Sequence, residues 1–330
     1  NSMTDFSTSF AGLKLSNPII ISSSGLTRTA EKVADLAVAG AGAVVLKSLF
    51  EEQIMHETDK ALAENFYDHA EGADYIGAYV RQQTIEDYLN VIRGCKKACT
   101  IPVIASINCH SDAEWVNFAK DIENAGADAI EINILSLKTQ ADYEYGSFEK
   151  EHIKILRHLK QTVNIPVIMK LGNCFTNPVA LIDQLKTNGA DAVVLFNRFF
   201  PFDIDIEAMK TTAGNVLSNG AEISNPLRWA GIVSNAVKNL DIAVSGGVQS
   251  GEDVVKSLLA GAAAVEVCSV IFEKGASHIK TMLDGLEAWM ENHNFNSVGQ
   301  FKGKLNAGSG RDNADIFDRT QFVRHFGGKE

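Results

Sequence analysis

One phrase returns four times along this chain: Ala39-Gly-Ala-Gly-Ala-Val-Val-Leu, Ala125-Gly-Ala-Asp-Ala-Ile-Glu-Ile, Asn188-Gly-Ala-Asp-Ala-Val-Val-Leu and Ala260-Gly-Ala-Ala-Ala-Val-Glu-Val. Each copy reads as a helix end, a glycine cap and a buried strand. A second phrase falls between the copies: Ile101-Pro-Val-Ile-Ala, Ile165-Pro-Val-Ile-Met and the related Asp241-Ile-Ala-Val. Adding Asn17-Pro-Ile-Ile-Ile at the start gives eight apolar strands. Helical stretches separate most of them, and that alternation predicts a parallel sheet. Eight evenly phrased units predict an α/β chain closed into a (β/α)8 TIM barrel of about 250 residues plus extras. A doubly wound open sheet is the alternative.

Three segments exceed simple connections. Residues 50–79 follow strand 2, residues 197–224 follow strand 6, and 303–330 trail the barrel. The first two leave C-terminal strand ends and are lid or substrate-loop candidates. We expect one barrel domain over 1–305 and a C-terminal extension over 306–330. Phe317, Phe322 and Phe326 in that extension pack on the barrel or on a dimer partner.

Composition narrows the function classes. A net charge of -11 argues against nucleic acid as partner. No apolar run approaches the ~20 residues of a membrane span, and no secretory signal is read. Asn1-Ser2 before Met3 read as a cloning remnant. The five cysteines have neither disulfide nor zinc spacing, which points to a reducing cytoplasm and no metal. Cys95 and Cys99 sit one helical turn apart as core thiols, whereas Cys109, Cys174 and Cys268 each follow a strand and share one face.

That face carries the chemistry. After strand 7, Gly246-Gly247 turns toward a helix that Ser250 caps; after strand 8, Cys268-Ser269 opens another helix. Two such turns can aim backbone N–H groups at one phosphate, although Gly-Gly also reads as a plain turn. Lys47 and Lys170 directly follow buried strands, so each meets an anion or an electron-rich ring, or else snorkels to solvent. Asn108, Asn133 and Asn197 offer amide donors and acceptors to a planar heterocycle, or act as local caps. No strand end supplies the carboxylates of a metal site, and no nucleophile–histidine pair appears.

From about Phe6 to Leu305 the ordered set resembles the dihydroorotate dehydrogenases, FMN-dependent barrels of pyrimidine biosynthesis. Ser24-Gly25 is similar to that family's turn beside the flavin, and Lys47-Ser48 to its Lys-Ser after strand 2. Asn133-Ile-Leu-Ser136 resembles its Asn-x-Ser-Cys/Ser-Pro-Asn motif. Lys170, Asn197, Pro226-Leu-Arg and the closing Phe295-Asn-Ser-Val-Gly-Gln-Phe-Lys-Gly-Lys-Leu also match.

The resemblance implies FMN phosphate on Gly246, Gly247, Cys268 and Ser269, and Lys170 near the flavin's pyrimidine edge. Lys47, Asn108 and Asn133 would line the ring or the substrate. Hydride would pass to flavin N5 and a proton to a base at Ser136, a position that otherwise reads as a turn hydroxyl. Relatives of the soluble class imply a cytoplasmic homodimer with a small-molecule substrate and no membrane.

The match departs at the substrate. Leu137-Lys138 replaces Pro-Asn, Arg198 follows Asn197 where Ser or Thr is usual, and 66–79 has no Gly-Leu-Pro-Asn counterpart. Lys138 and Arg198 are candidate carboxylate ligands or solvated loop charges. Serine at the base position is usual in the membrane-associated class, yet this chain begins almost directly at strand 1, so a soluble enzyme is expected. The electron acceptor is left open. Two alternatives stand beside dihydroorotate: another pyrimidine-like ring, as in dihydropyrimidine dehydrogenases, and a phosphate-binding or degenerate flavin barrel without turnover.

Overall fold

The computed structural model describes residues 3–55, 72–199 and 201–320. Eight strands form the barrel: β1 Ile19–Ile21, β2 Ala43–Val45, β3 Val103–Cys109, β4 Ala129–Ile134, β5 Val167–Gly172, β6 Ala192–Asn197, β7 Asp241–Ser245 and β8 Ala264–Val267. All pair in parallel; β8 pairs with β1, and β2 pairs with β3, so the sheet closes. Seven of these strands are those of the two sequence phrases, and β1 is the Asn17-Pro-Ile-Ile-Ile stretch.

The phrases also explain the connections. Gly40, Gly126, Gly189 and Gly261 occupy the cap position of each repeat, with φ between 102° and 117°. That left-handed conformation is what glycine supplies at a helix end. The Asp of the phrase has its own work. Asp128 accepts from the Val103 N–H at 2.8 Å and from Lys96 at 2.7 Å, and Asp191 does the same with Val167 and Lys160. Each Asp ties a strand entrance to its neighbour's start.

Outward residues such as Ile19, Val44, Ile130, Val193 and Val265 pack beneath the helices α1 Ala30–Val38, α2 Gly72–Ala98, α3 Phe118–Ala125, α4 Ser147–Thr162, α5 Pro178–Thr187, α6 Ser224–Ala236, α7 Gly251–Ala260 and α8 His278–Asn292. Inward residues at the strand entrances, among them Ile104, Ala129, Ile168, Ala192 and Ala264, form a separate inner core. An N-terminal hairpin, Thr8–Phe10 with Leu13–Leu15, adds Phe10 and Leu15 to that core. The Ala11 N–H donates to Asp241 at 2.9 Å, and the Thr8 hydroxyl to the Ala263 carbonyl at 2.8 Å. The N-terminal mouth is therefore plugged, and the other end is left for chemistry.

The segment after β2 is only partly a connection. Leu49–Phe50 adds a short parallel pairing to β3, and α2 already begins at Gly72, inside the 50–79 stretch expected as loop. Residues 56–71 lie outside the described residues. The segment after β6 holds an antiparallel hairpin, Phe202–Asp205 with Lys210–Ala213, and a helical turn at Gly220–Ile223. In the extension, a helix at Arg311–Asp318 brings the Phe317 ring against Gly231 of α6. Phe322 and Phe326 lie outside the described residues. Among the described residues no helix is long and apolar enough to cross a membrane.

Candidate active site

The site follows from the alternation of side chains along a strand. Two residues above the inner apolar core, the inward positions become polar: Ser106 on β3, Glu131 on β4, Lys170 on β5 and Glu266 on β8, all buried. Two residues further, at the open end, come Asn108 and Asn133. The barrel thus changes from apolar to ionic to amide along its own axis.

The ionic level is the chemical centre. Lys170 Nζ donates to Glu266 Oε1 at 3.0 Å, with both side chains out of solvent. Burial alone would lower the lysine's proton affinity. The charges of Glu266 and Glu131 outweigh it and hold the ammonium above its ordinary pKa of 10.5. The lysine does meet an anion, and that anion belongs to the protein. Beside it runs a chain of hydroxyls: Ser23 to Ser48 at 2.9 Å, Ser48 to Ser106 at 2.6 Å, and the Asn133 amide to Ser106 at 3.4 Å. Asn133 is 4% exposed, and its Oδ1 has no donor among the described residues. A buried acceptor without a donor is costly, so this atom asks for a ligand N–H.

Above this level opens a cavity of about 510 Å³. Lys170, Asn108, Asn133, Lys47 and Ser48 line it, with Ser24 at one side. Ser136, Asn197 and Arg198 border it as well, with Ser23 and Leu137 from the same strand ends, joined by Phe50 and Phe199, to which the sequence reading gave no role in the site. Lys47 is exposed and forms no ion pair among the described residues. Ser136 is half-buried, and its hydroxyl has no hydrogen-bond partner among the described residues.

Two rim cations point elsewhere. Lys138 reaches back to Glu151 at 3.3 Å and lies over the Phe148 ring, 5.0 Å from its centroid. Arg198 donates to Glu222 at 3.1 Å, to the Asn215 carbonyl at 2.7 Å and to the Val216 carbonyl. Its guanidinium thereby fastens the segment after β6.

Of the two turns at β7 and β8, Gly246 lines an adjoining cavity, whereas Gly247, Cys268 and Ser269 line neither cavity. Gly246 and Gly247 have φ of 98° and 79°. A side chain on Gly247 would sit 2.3 Å from the Ile223 backbone nitrogen, whereas one on Gly246 would meet nothing within 4 Å. Gly247 is glycine for packing; Gly246 faces open space and lines an adjoining cavity of about 480 Å³ with Ser224, Asn225 and Arg228. Ser250 caps α7 through a reciprocal capping box with Asp253. The Ser269 hydroxyl accepts from the Ser218 N–H at 2.9 Å, and Cys268 precedes the short helix Ser269–Lys274. On the β1 side, Ser24 accepts from the Leu26 N–H at 3.1 Å, and the Phe272 ring approaches Gly25.

Known proteins line up with this architecture along most of its length. The family model described as dihydroorotate dehydrogenase matches residues 5–290. A protein of Thermoplasma acidophilum named dihydroorotate dehydrogenase B (NAD(+)), catalytic subunit, is 28% identical, covering 90% of this chain and 97% of the relative. Proteins of the same name from Alkaliphilus oremlandii and Methanocaldococcus jannaschii are 27% and 25% identical. They cover 89% and 87% of this chain, and 97% and 94% of their own lengths.

Proposed function

The chain belongs to the dihydroorotate dehydrogenase family, and we propose that it is an FMN-dependent enzyme that oxidises dihydroorotate to orotate. Members of this family are oxidoreductases acting on CH–CH donors. The observation that carries the reading is the convergence of a charged Lys170, an unsatisfied Asn133 Oδ1 and the rim residues Lys47, Asn108 and Ser136 on one cavity.

These residues fit a flavin. Asn133 Oδ1 has the acceptor that a ring N–H needs, Lys170 supplies positive charge under an electron-rich edge, and Gly246 leaves space for a phosphate on backbone N–H groups. The bound flavin would accept the hydride. Gly246, Gly247, Cys268 and Ser269 would hold its phosphate, while Ser24, Gly25 and Ser48 would border the ring. Lys47 offers an unpaired ammonium to the substrate carboxylate, and Asn133 and Asn197 orient the substrate ring. Ser136 takes the proton from the carbon beside the one that loses hydride. With no protein partner on its hydroxyl among the described residues, it passes that proton to water. Cytoplasmic location and a homodimer belong to the same reading, and sedimentation of the purified protein tests the second.

One observation favours a second substrate. Lys138 and Arg198 are engaged by Glu151 and Glu222, which leaves less cationic charge for a carboxylate than a carboxylated ring would use. A dihydropyrimidine-like ring without that group fits such a rim. The test is orotate formation with fumarate, NAD or a dye as acceptor. Flavin-bound protein with no turnover under any of these removes dihydroorotate; reoxidation of the reduced enzyme by uracil or thymine establishes the second ring class.

A further inference from the structure

Two carboxyl groups and one ammonium share the ionic level of the barrel, and as simple ions they do not balance. Glu131 on β4 and Glu266 on β8 come from opposite walls, with Lys170 on β5 between the cavity and both. Glu131 is 0% exposed, Glu266 2% and Lys170 9%. Lys170 satisfies one oxygen, Glu266 Oε1. Three remain: both oxygens of Glu131 and Oε2 of Glu266, all sealed from solvent and without a donor among the described residues.

Two ionised carboxylates beside one lysine would leave a net negative charge in a dry interior. A proton on Glu131 removes that charge, and its O–H supplies the donor that Glu266 Oε2 lacks. Burial and the charge of Glu266 both drive Glu131 toward the protonated form. Burial also opposes charge on Glu266, but the charge and hydrogen bond of Lys170 hold its carboxyl below the ordinary carboxylate pKa.

Among the described residues the remaining neighbours add no competing ion. Tyr88 from α2 is kept un-ionised by burial, and burial likewise raises the Cys268 thiol at the top of β8. β1, β3 and β7 present Ser22, Ser106 and Ser245, while β2 and β6 present Val45 and Val194.

We propose that Glu131 and Glu266 form a carboxylic acid–carboxylate pair holding one proton, and that this pair positions Lys170 and sets how much of its charge reaches a ring bound above. The first half stands on the protein alone; the second rests on the flavin reading of the cavity. Neither glutamate lines that cavity, so both are positioning residues acting through Lys170.

Infrared spectroscopy of the purified protein at neutral pH tests the pair directly. The expected spectrum carries the carbonyl stretch of a buried, un-ionised carboxylic acid, and Glu131→Gln removes it. Glu266→Gln removes it too, although Glu131 is intact, because Glu131 then ionises against Lys170. A wild-type spectrum without this band, or a band that survives in Glu266→Gln, overturns the pair.

The midpoint potential of bound flavin tests the positioning. Glu131→Gln keeps Glu266 charged, donates an amide N–H in place of the O–H, and leaves the potential at the wild-type value. Combining Glu131→Gln with Glu266→Gln removes the counter-anion and favours reduced flavin about tenfold, or about 30 mV for a two-electron couple. An unchanged potential in the double variant overturns the positioning role. Protein that binds no flavin overturns that half together with the flavin reading, while the infrared result still decides the pair.

Discussion

The β7–β8 side of the open end and the rim after β4 and β6 hold their residues by different means. At Gly246-Gly247 the constraint lies in the backbone: φ is positive at both residues, and a Cβ on Gly247 would collide with Ile223. At Ser136-Leu-Lys138 and Arg198 the constraint lies in side chains. Leu137 is 73% exposed, Lys138 turns to Glu151, and Arg198 clamps its own loop. A backbone cradle accepts few residue types, so it keeps a recognisable spelling. A rim of exposed side chains can change its spelling while the barrel beneath is untouched. That is why Gly246-Gly247 reads in the sequence as a family resemblance, whereas Leu137-Lys138 and Arg198 read as departures from it.

The contrast predicts a ranking of effects. Lys170→Ala comes first, because it strips the counter-ion from a buried carboxylate at the level shared by both sides. It should cost about 3–5 kcal/mol in chemical denaturation and abolish flavin reduction by substrate; wild-type stability would mean that Glu266 is not charged. Gly247→Ala comes next, since the left-handed conformation alone costs about 1–3 kcal/mol and the collision adds to it. Flavin affinity should fall with stability, and an unaffected affinity would separate this turn from the phosphate.

At the rim the effects become kinetic. Ser136→Ala should leave stability and flavin binding alone while slowing reduction by substrate about 10²–10⁴-fold; an unaltered rate in rapid mixing would exclude this hydroxyl as the base. Lys138→Ala is the smallest, about 0–1 kcal/mol for a partly exposed ion pair. With its ammonium turned to Glu151, it should not change substrate KM, and a clear rise would show that the lysine swings into the cavity.

The pH dependence of stability separates the glutamates from both sides. Glu131 has a folded pKa above its ordinary 4.5. Its protonation therefore supports the fold fully below that value, and the support drains away as pH rises through the folded value. Stability measured against Glu131→Gln should accordingly decline with rising pH above about 4.5; a difference independent of pH would place no proton on Glu131.

The eight strands were legible because a parallel barrel buries both faces of each strand, so every strand appears as a short apolar run after a capping glycine. The partner of Lys170 was not read from the strand ends, since Glu266 lies below them. Its signal was nevertheless present in the repeated phrase: the slot filled by Val45 and Val194 in two copies holds Glu131 and Glu266 in the other two. A charged residue in a slot whose other occupants are buried valines has to be neutralised from within. The hairpin after β6 was not legible, because its turn sets Met209 at φ 50° where Gly or Asn would announce it. The early start of α2 lay in a segment whose composition gave no break before Gly72.

Anaerobic mixing of the purified protein with dihydroorotate, followed by its visible spectrum, addresses cavity and rim together. A yellow protein that bleaches is the predicted result, with flavin held over Lys170 and substrate beside Ser136. A yellow protein that stays oxidised contradicts the dihydroorotate assignment and moves the search to rings that suit a rim with Lys138 and Arg198 turned away. A colourless protein that takes up no added FMN contradicts the flavin site itself.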